Sequence, residues 1–177
     1  ARVLLVEAED TPGYHATGRS AAFWHETYGG AQVQPLSVAS FDTLACPAPE
    51  FSERGFLSPR AALTVGRRSE AAAVDAFTTE FAAKGVDVVR MGAADIARSI
   101  PGVRAEWSEA AYEAACSDID VNALHAAYLR AAKRDGAHLA IRAPLVSARR
   151  TGGGWEAQVG GETIHAALIV NAAGAWA

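Results

Sequence analysis

The run Arg2-Val3-Leu4-Leu5-Val6-Glu7-Ala8-Glu9 constrains this chain more than any other feature. Consecutive apolar, mostly branched residues closed by a carboxylate predict a strand of a buried parallel sheet with an acid at its carboxyl end. Such an acid suits the vicinal hydroxyls of a ribose, because a carboxylate can accept two hydrogen bonds at once. In dinucleotide-binding sheets the Gly-rich turn that holds the pyrophosphate precedes this acid by about 20 residues, and no such turn precedes Glu7. Two readings follow. Either the chain is an internal part of a larger enzyme whose first strand lies outside this sequence, or Glu7 is a solvated acid at an ordinary strand end.

Composition narrows the class of protein without naming a function. Of the 177 residues, 50% are hydrophobic and 20% charged, which predicts a globular core and not a disordered chain. The formal net charge is −4, with 16 basic residues scattered among 20 acidic ones. That balance argues against nucleic acid as a partner, since phosphate binding needs clustered Lys and Arg. No apolar run approaches the roughly 20 residues of a spanning helix, and the N-terminal strand lacks a signal-peptide pattern. Cys46 and Cys116 have no CxxC partner and no His at ligand spacing, so neither a disulfide framework nor a metal site is expected. Two incidental thiols fit the cytoplasm.

Periodicity orders the rest. Ala31 to Ala45 reads as a helix stopped by Cys46-Pro47-Ala48-Pro49, a natural domain crossing. Strand pieces are expected at Phe56-Leu57 and Ala61 to Val65, then a helix from Glu70 to Lys84 capped by Ser69 and ended by Gly85. A strand at Val86 to Met91, a short helix at Ala93 to Ser99 and a strand at Ala110 to Cys116 follow. Asp120 is a natural N-cap for a helix from Val121 to Asp135, with Val121, Leu124, Tyr128 and Ala131 along one face and Gly136 as its C-terminal stop. After a strand at His138 to Ile141, the segments Leu145 to Arg150, Trp155 to Val159 and Thr163 to His165 alternate with glycine pairs. They predict a three-stranded meander. Its glycines lack GxGxxG spacing and open a strand, so they are turn residues and not a phosphate loop.

The segment Pro12-Gly13-Tyr14-His15-Ala16-Thr17-Gly18-Arg19-Ser20-Ala21-Ala22-Phe23-Trp24-His25-Glu26-Thr27-Tyr28-Gly29 carries more specific information. Small side chains at Gly18, Ala21 and Ala22 let backbone N–H groups approach a ligand, Thr17 and Ser20 add hydroxyls, and Arg19 adds a cation suited to an anionic cofactor. A Gly-containing surface loop with one Arg is the plainer alternative. Far downstream, Ala167-Leu168-Ile169-Val170-Asn171-Ala172-Ala173-Gly174 reads as a continuous apolar strand leaving its sheet through small residues.

With the strand acid, the Thr17 to Ala22 loop and the ordered series from Asp118 to the Asn171-Ala172-Ala173-Gly174 turn, the chain resembles the FAD-dependent oxidoreductases of the D-amino acid oxidase, glycine oxidase and sarcosine oxidase superfamily. The resemblance spans all 177 residues, its middle by element order alone. It implies an α/β fold: a partial Rossmann-like FAD-binding domain with a β-meander, built from residues 1–46 and 117–177, plus part of an α+β substrate domain at residues 47–116. It also implies cofactor-binding roles for Glu7 and Ala8, for Thr17, Gly18, Arg19, Ser20 and Ala21, for the backbone of Val146 beside the adenine, and for Ala172, Ala173 and Gly174. For Val146 a simple core role fits equally well. His15 lies near the place of a flavin-linked histidine in some relatives, but ungapped alignment sets that place nearer Arg19. His25, Glu26 and Tyr28 follow the loop, where packing or exposed roles are the plainer reading, and His125, His138 and His165 look structural.

The implied substrate is a small-molecule amine or amino acid that gives hydride to the flavin, with no side-chain base required. An NAD(P)-dependent dehydrogenase using Glu7 alone is the alternative enzyme. A non-catalytic remnant, or a subunit assembled with itself or a partner through exposed strand edges, is the alternative from another class.

Overall fold

The computed structural model describes residues 2–176. In chain order its elements are β1 (Leu4–Val6), β2 (Phe23–Trp24), α1 (Gln34–Ala45), β3 (Leu57–Pro59), β4 (Ala62–Arg67), α2 (Ala71–Ala82), β5 (Val88–Gly92), α3 (Ala93–Ser99), β6 (Trp107–Glu113), β7 (Ser117–Ile119), α4 (Val121–Arg134), β8 (His138–Ala140), β9 (Leu145–Thr151), β10 (Gly154–Val159) and β11 (Glu162–Ala166). Single 3-10 turns stand at Thr17–Arg19, Arg68–Glu70 and Gly174–Trp176. The chain divides into two compact units, one comprising the residues up to Arg19 with those from His125 onward, the other Ser20–Leu124.

In the first unit β1 and β8 pair in parallel, with Leu4 opposite His138 and Val6 opposite Ala140. The expected burial of β1 is not met: Val3, Leu4, Leu5 and Val6 are each 37–45% exposed. A parallel strand is buried only when neighbours and covering layers surround it, and here β8 is the one strand paired with β1 among the described residues. The meander forms as its glycines predict, in the order β11-β10-β9, with Gly160 and Gly161 both at positive φ in the turn between β10 and β11. Its inner face buries Ala157 and Val159 with Ala143, and Ala140, Ile164 and Ile169 pack against them.

Residues 167–173 do not form the expected parallel strand. Apolar sequence alone does not make a strand; a ladder partner is needed to satisfy its N–H and C=O groups, and none pairs with this stretch among the described residues. Leu168 and Val170 are consequently exposed.

The second unit holds two antiparallel sheets, β2-β7-β3 and β4-β6-β5. Helix α2 covers the latter sheet, burying Val74 and Phe81 against Val86, Val88 and Ala111. At its start, Ser69 is not the cap. The Glu70 carboxylate accepts the Arg67 N–H at 2.8 Å, and the 3-10 turn from Arg68 leads into the helix. The strand expected over 110–116 begins earlier, at Trp107, because its pairing with β4 starts at Trp107 and its pairing with β5 at Glu109. Strand β7 pairs with both β2 and β3. Pro59 is tolerated because β3 is an edge strand.

Helix α4 is capped as its sequence predicts: the Ala123 N–H donates to Asp120 Oδ1 at 2.9 Å, and Gly136 takes a left-handed φ of +88°. Its buried position is Ala127; Val121, Leu124 and Ala131 of the expected face are half-buried, while Tyr128 is exposed.

Candidate functional site

Glu7 follows β1 at the carboxyl end of the parallel pair. Its backbone is held from both directions: its N–H donates to Ala140 O at 2.9 Å, and the Ala143 N–H donates to its carbonyl at 2.8 Å. The half-buried carboxylate accepts the Glu9 N–H through Oε1 at 3.0 Å. Oε2 has no hydrogen-bond partner among the described residues, so a fixed acceptor is left at the strand end. Neighbouring Ala8 is exposed. Glu9 is engaged elsewhere, 2.7 Å from His15 Nε2, which gives His15 a structural partner.

The Thr17–Arg19 turn is exposed and held by its own loop. The Gly18 N–H donates to Gly13 O at 2.7 Å and the Arg19 N–H to Ala16 O at 3.3 Å. A Cβ on Gly18 would lie 2.4 Å from Gly13 O, so the glycine is required by backbone closure within this loop, whatever it binds. Arg19 donates from Nε to Tyr14 O at 3.1 Å and stacks 4.7 Å from the Tyr14 ring centroid. Its charge has no carboxylate partner among the described residues. The loop rests on α4, since a Cβ on Gly13 would meet the His125 ring at 2.9 Å. Ser20 and Ala21, both exposed, open the second unit.

Val146 lies on β9, an edge strand of the meander, and is 75% exposed. A core role is therefore excluded, and its main chain stands on the open edge. The base of the meander is joined to Glu7 through Ala143, and Ile169 packs on the same Ala143 cluster. That packing tethers the stretch leading to Ala172, Ala173 and Gly174. These three residues are exposed; the Ala173 N–H is already taken by Asn171 Oδ1 at 3.0 Å, and Gly174 has φ +65°.

A second constellation, in the Ser20–Leu124 unit, escaped sequence reasoning. Glu113, at the end of β6, is only 2% exposed. Its carboxylate accepts the Glu26 N–H at 2.7 Å and the Thr27 hydroxyl at 2.7 Å, and lies 2.8 Å from His25 Nδ1. Burial alone would push the Glu113 carboxyl up, but the bonds from His25, Thr27 and the Glu26 backbone outweigh it and hold the group below its ordinary value. The only sequence signal for this cluster is the His-Glu-Thr run at 25–27; the partner is 86 residues away from Thr27. Nearby Cys116 is buried, and burial and the Glu113 charge push its thiol up, which favours the thiol over the thiolate.

A family model described as DAO, FAD dependent oxidoreductase, matches residues 1–177. The fold agrees with solved structures of such enzymes. Glycine oxidase from Geobacillus kaustophilus is similar with a TM-score of 0.84 at 22% identity, over 99% of this chain and 49% of that one. L-proline dehydrogenase from P. horikoshii gives 0.81 at 16% identity, over 99% and 47%. L-alpha-glycerophosphate oxidase from Mycoplasma pneumoniae, solved with FAD bound, gives 0.75 at 13% identity, over 92% and 44%. The chain thus spans about half the length of the solved structures it matches. It belongs to the FAD-dependent oxidoreductase family DAO, and its fold is the α/β, Rossmann-like fold of that family. The nicotinamide alternative is thereby set aside. The donor set fits FAD: an unsatisfied carboxylate oxygen for ribose hydroxyls, an uncompensated cation at Arg19, and an open strand edge at Val146.

Proposed function

We propose that this chain forms part of an enzyme that oxidises the CH–NH bond of an amino acid or secondary amine, giving an imine that hydrolyses to a carbonyl compound and ammonia or amine. The observation that carries this reading is Glu7, a half-buried carboxylate at the end of a parallel strand with Oε2 left to accept a ligand hydroxyl. Glu7 and Ala8 take the ribose end of FAD, the Thr17, Gly18, Arg19, Ser20 and Ala21 loop runs along the cofactor toward its ring, Val146 meets the adenine through its main chain, and Ala172, Ala173 and Gly174 give the backbone close approach. When bound, FAD supplies a two-electron acceptor for hydride. Residues 1–46 and 117–177 serve the cofactor, and 47–116 contribute to the substrate side.

An amine substrate is favoured because glycine oxidase and L-proline dehydrogenase are among the similar structures. The glycerophosphate oxidase shows that the fold also serves another substrate, so amine chemistry rests on experiment. No helix of the described residues is long and apolar enough to cross a membrane. The free thiols of Cys46 and Cys116 support a reducing compartment such as the cytoplasm. The exposed β1 and β8 residues support association with further polypeptide at that sheet.

The test is anaerobic mixing of the flavin-loaded protein with small amino acids, their D forms and N-methyl derivatives, followed by flavin absorbance. Loss of the oxidised flavin bands with one substrate class supports the reading. A yellow protein that no amine bleaches would overturn the substrate assignment, and a colourless one that takes up no FAD would favour a non-catalytic member of the family.

A further inference from the structure

Most edge strands of this protein carry a feature that discourages pairing with another chain. Strand β4 holds Arg67, β5 holds Arg90, β9 holds Arg149 and Arg150, and β11 holds Glu162. Strand β3 ends in Pro59, and β2 is two residues long. Charge, proline and shortness all blunt an edge. β1 has neither charge nor proline: Leu4, Leu5 and Val6, with Val3 just before them, are uncharged and exposed.

The free backbone groups of this edge can be assigned. The Val3 carbonyl accepts the His138 N–H at 2.9 Å, and the Glu7 N–H donates to Ala140 O at 2.9 Å. Successive residues of a strand turn their N–H and C=O groups to opposite sides. The odd-numbered residues therefore bond to β8, and Arg2, Leu4 and Val6 direct theirs to the open side. On β8 the same alternation leaves Leu139 alone facing outward, so β1 is the richer edge.

We propose that the partner for this edge is a second copy of the chain, docked antiparallel through β1 with Leu4 of each copy opposite Leu4 of the other. Paired residues of an antiparallel ladder both turn their backbone groups inward, so even-numbered residues must meet even-numbered ones. With Leu4 on the twofold axis, Val3 lies opposite Leu5, and Arg2 opposite Val6, over which its aliphatic stem can lie. Apolar side chains then meet apolar ones along the strand. The charges agree with this direction. Arg2 is exposed and has no ion pair among the described residues. Antiparallel docking sets it beside the strand end that carries Glu7, twice per dimer, whereas parallel docking would set Arg2 beside Arg2. Moving the axis to Leu5 would place Val3 against the Glu7 side chain, a poorer match. The two copies together form one sheet in the order β8-β1-β1-β8, and the interface is isologous and closed.

The experiment uses the whole chain with Cys46→Ser, which removes the exposed thiol and leaves Cys116 buried. Hydrogen-bonded residues facing each other across an antiparallel pair have Cα atoms about 5.5 Å apart, within disulfide reach. Leu4→Cys on this background is expected to give a disulfide-linked dimer on mild oxidation, while Leu139→Cys at the other edge stays monomeric. Sedimentation equilibrium of the parent chain should fit a closed monomer–dimer equilibrium. Arg2→Glu should raise the dimer Kd about three- to thirtyfold, as expected when two exposed charge pairs are lost. That variant keeps the apolar edge, so non-specific adhesion would not respond to it. Cross-linking through Leu139→Cys in place of Leu4→Cys, open-ended association, a Kd that Arg2→Glu leaves unaltered, or a chain that stays monomeric would each overturn the proposal.

Discussion

Glu7 and Glu113 are both carboxylates at strand ends, yet their surroundings set them to different tasks. Glu7 keeps one oxygen unpaired, whereas the Glu113 oxygens are engaged by the Glu26, Thr27 and His25 groups. If Glu7 holds ribose hydroxyls, Glu7→Gln replaces a charge-assisted bond and should weaken FAD binding by about 1.5–3 kcal/mol, or roughly ten- to a hundredfold. Flavin titration showing unchanged affinity would remove Glu7 from the cofactor site. Glu113 should instead appear in the pH dependence of stability. Its carboxyl is held below the ordinary value of 4.5, so the folded state prefers the ionised form more than the unfolded chain does. The stabilisation is then complete above pH 4.5 and is lost as pH falls from there through the lower folded value. Thermal unfolding should show wild type and Glu113→Gln converging as pH drops below that range. A stability difference that stays constant down to pH 3 would show that Glu113 is not ionised in the fold.

At the scale of elements, what could be read in advance was local chemistry. Helix α4 was legible because an N-cap and a left-handed stop act within a few residues of it, and the meander because its glycine turns set the register of adjacent strands. What depended on distant partners was not. Residues 167–171 carry strand-like apolar residues without a ladder, and β7 exists only because β2 and β3 lie on either side of it. The Glu113 cluster was hidden for the same reason, since its members are adjacent only after β6 has formed. The burial of Ala127 and the exposure of Tyr128 in α4 follow from packing that periodicity alone does not fix. Two expectations belong here. Asp120→Ala should cost about 1 kcal/mol and speed hydrogen exchange in the first turn of α4; unchanged exchange there would deny the cap its role. Ala21 is exposed, so Ala21→Leu should fold normally yet reduce flavin content. A lowered melting temperature with full flavin occupancy would instead make that loop ordinary packing.

For the molecule as a whole, the distribution of apolar surface is the informative property. Leu4, Leu5 and Val6 on β1, with Val3 just before it, and Leu139 on β8 are exposed together at one two-stranded parallel ladder, and each strand has an unpaired edge among the described residues. Isolated apolar side chains on a surface are ordinary, but a row of them beside unsatisfied backbone donors and acceptors is a template for another strand. Antiparallel sheets tolerate one wet face; parallel pairs rarely do. The 177-residue chain on its own is therefore expected to self-associate as its concentration rises, and Leu5→Lys should suppress that association by placing a charge on the template strand. Sedimentation velocity over a concentration series reads both effects. Because Leu5 is already exposed, the Lys variant loses little burial, and its far-UV circular dichroism should match the parent. A chain that stays monomeric at every concentration, or one whose association Leu5→Lys leaves unaltered, would show that the open edge of β1 is not where this protein meets further polypeptide.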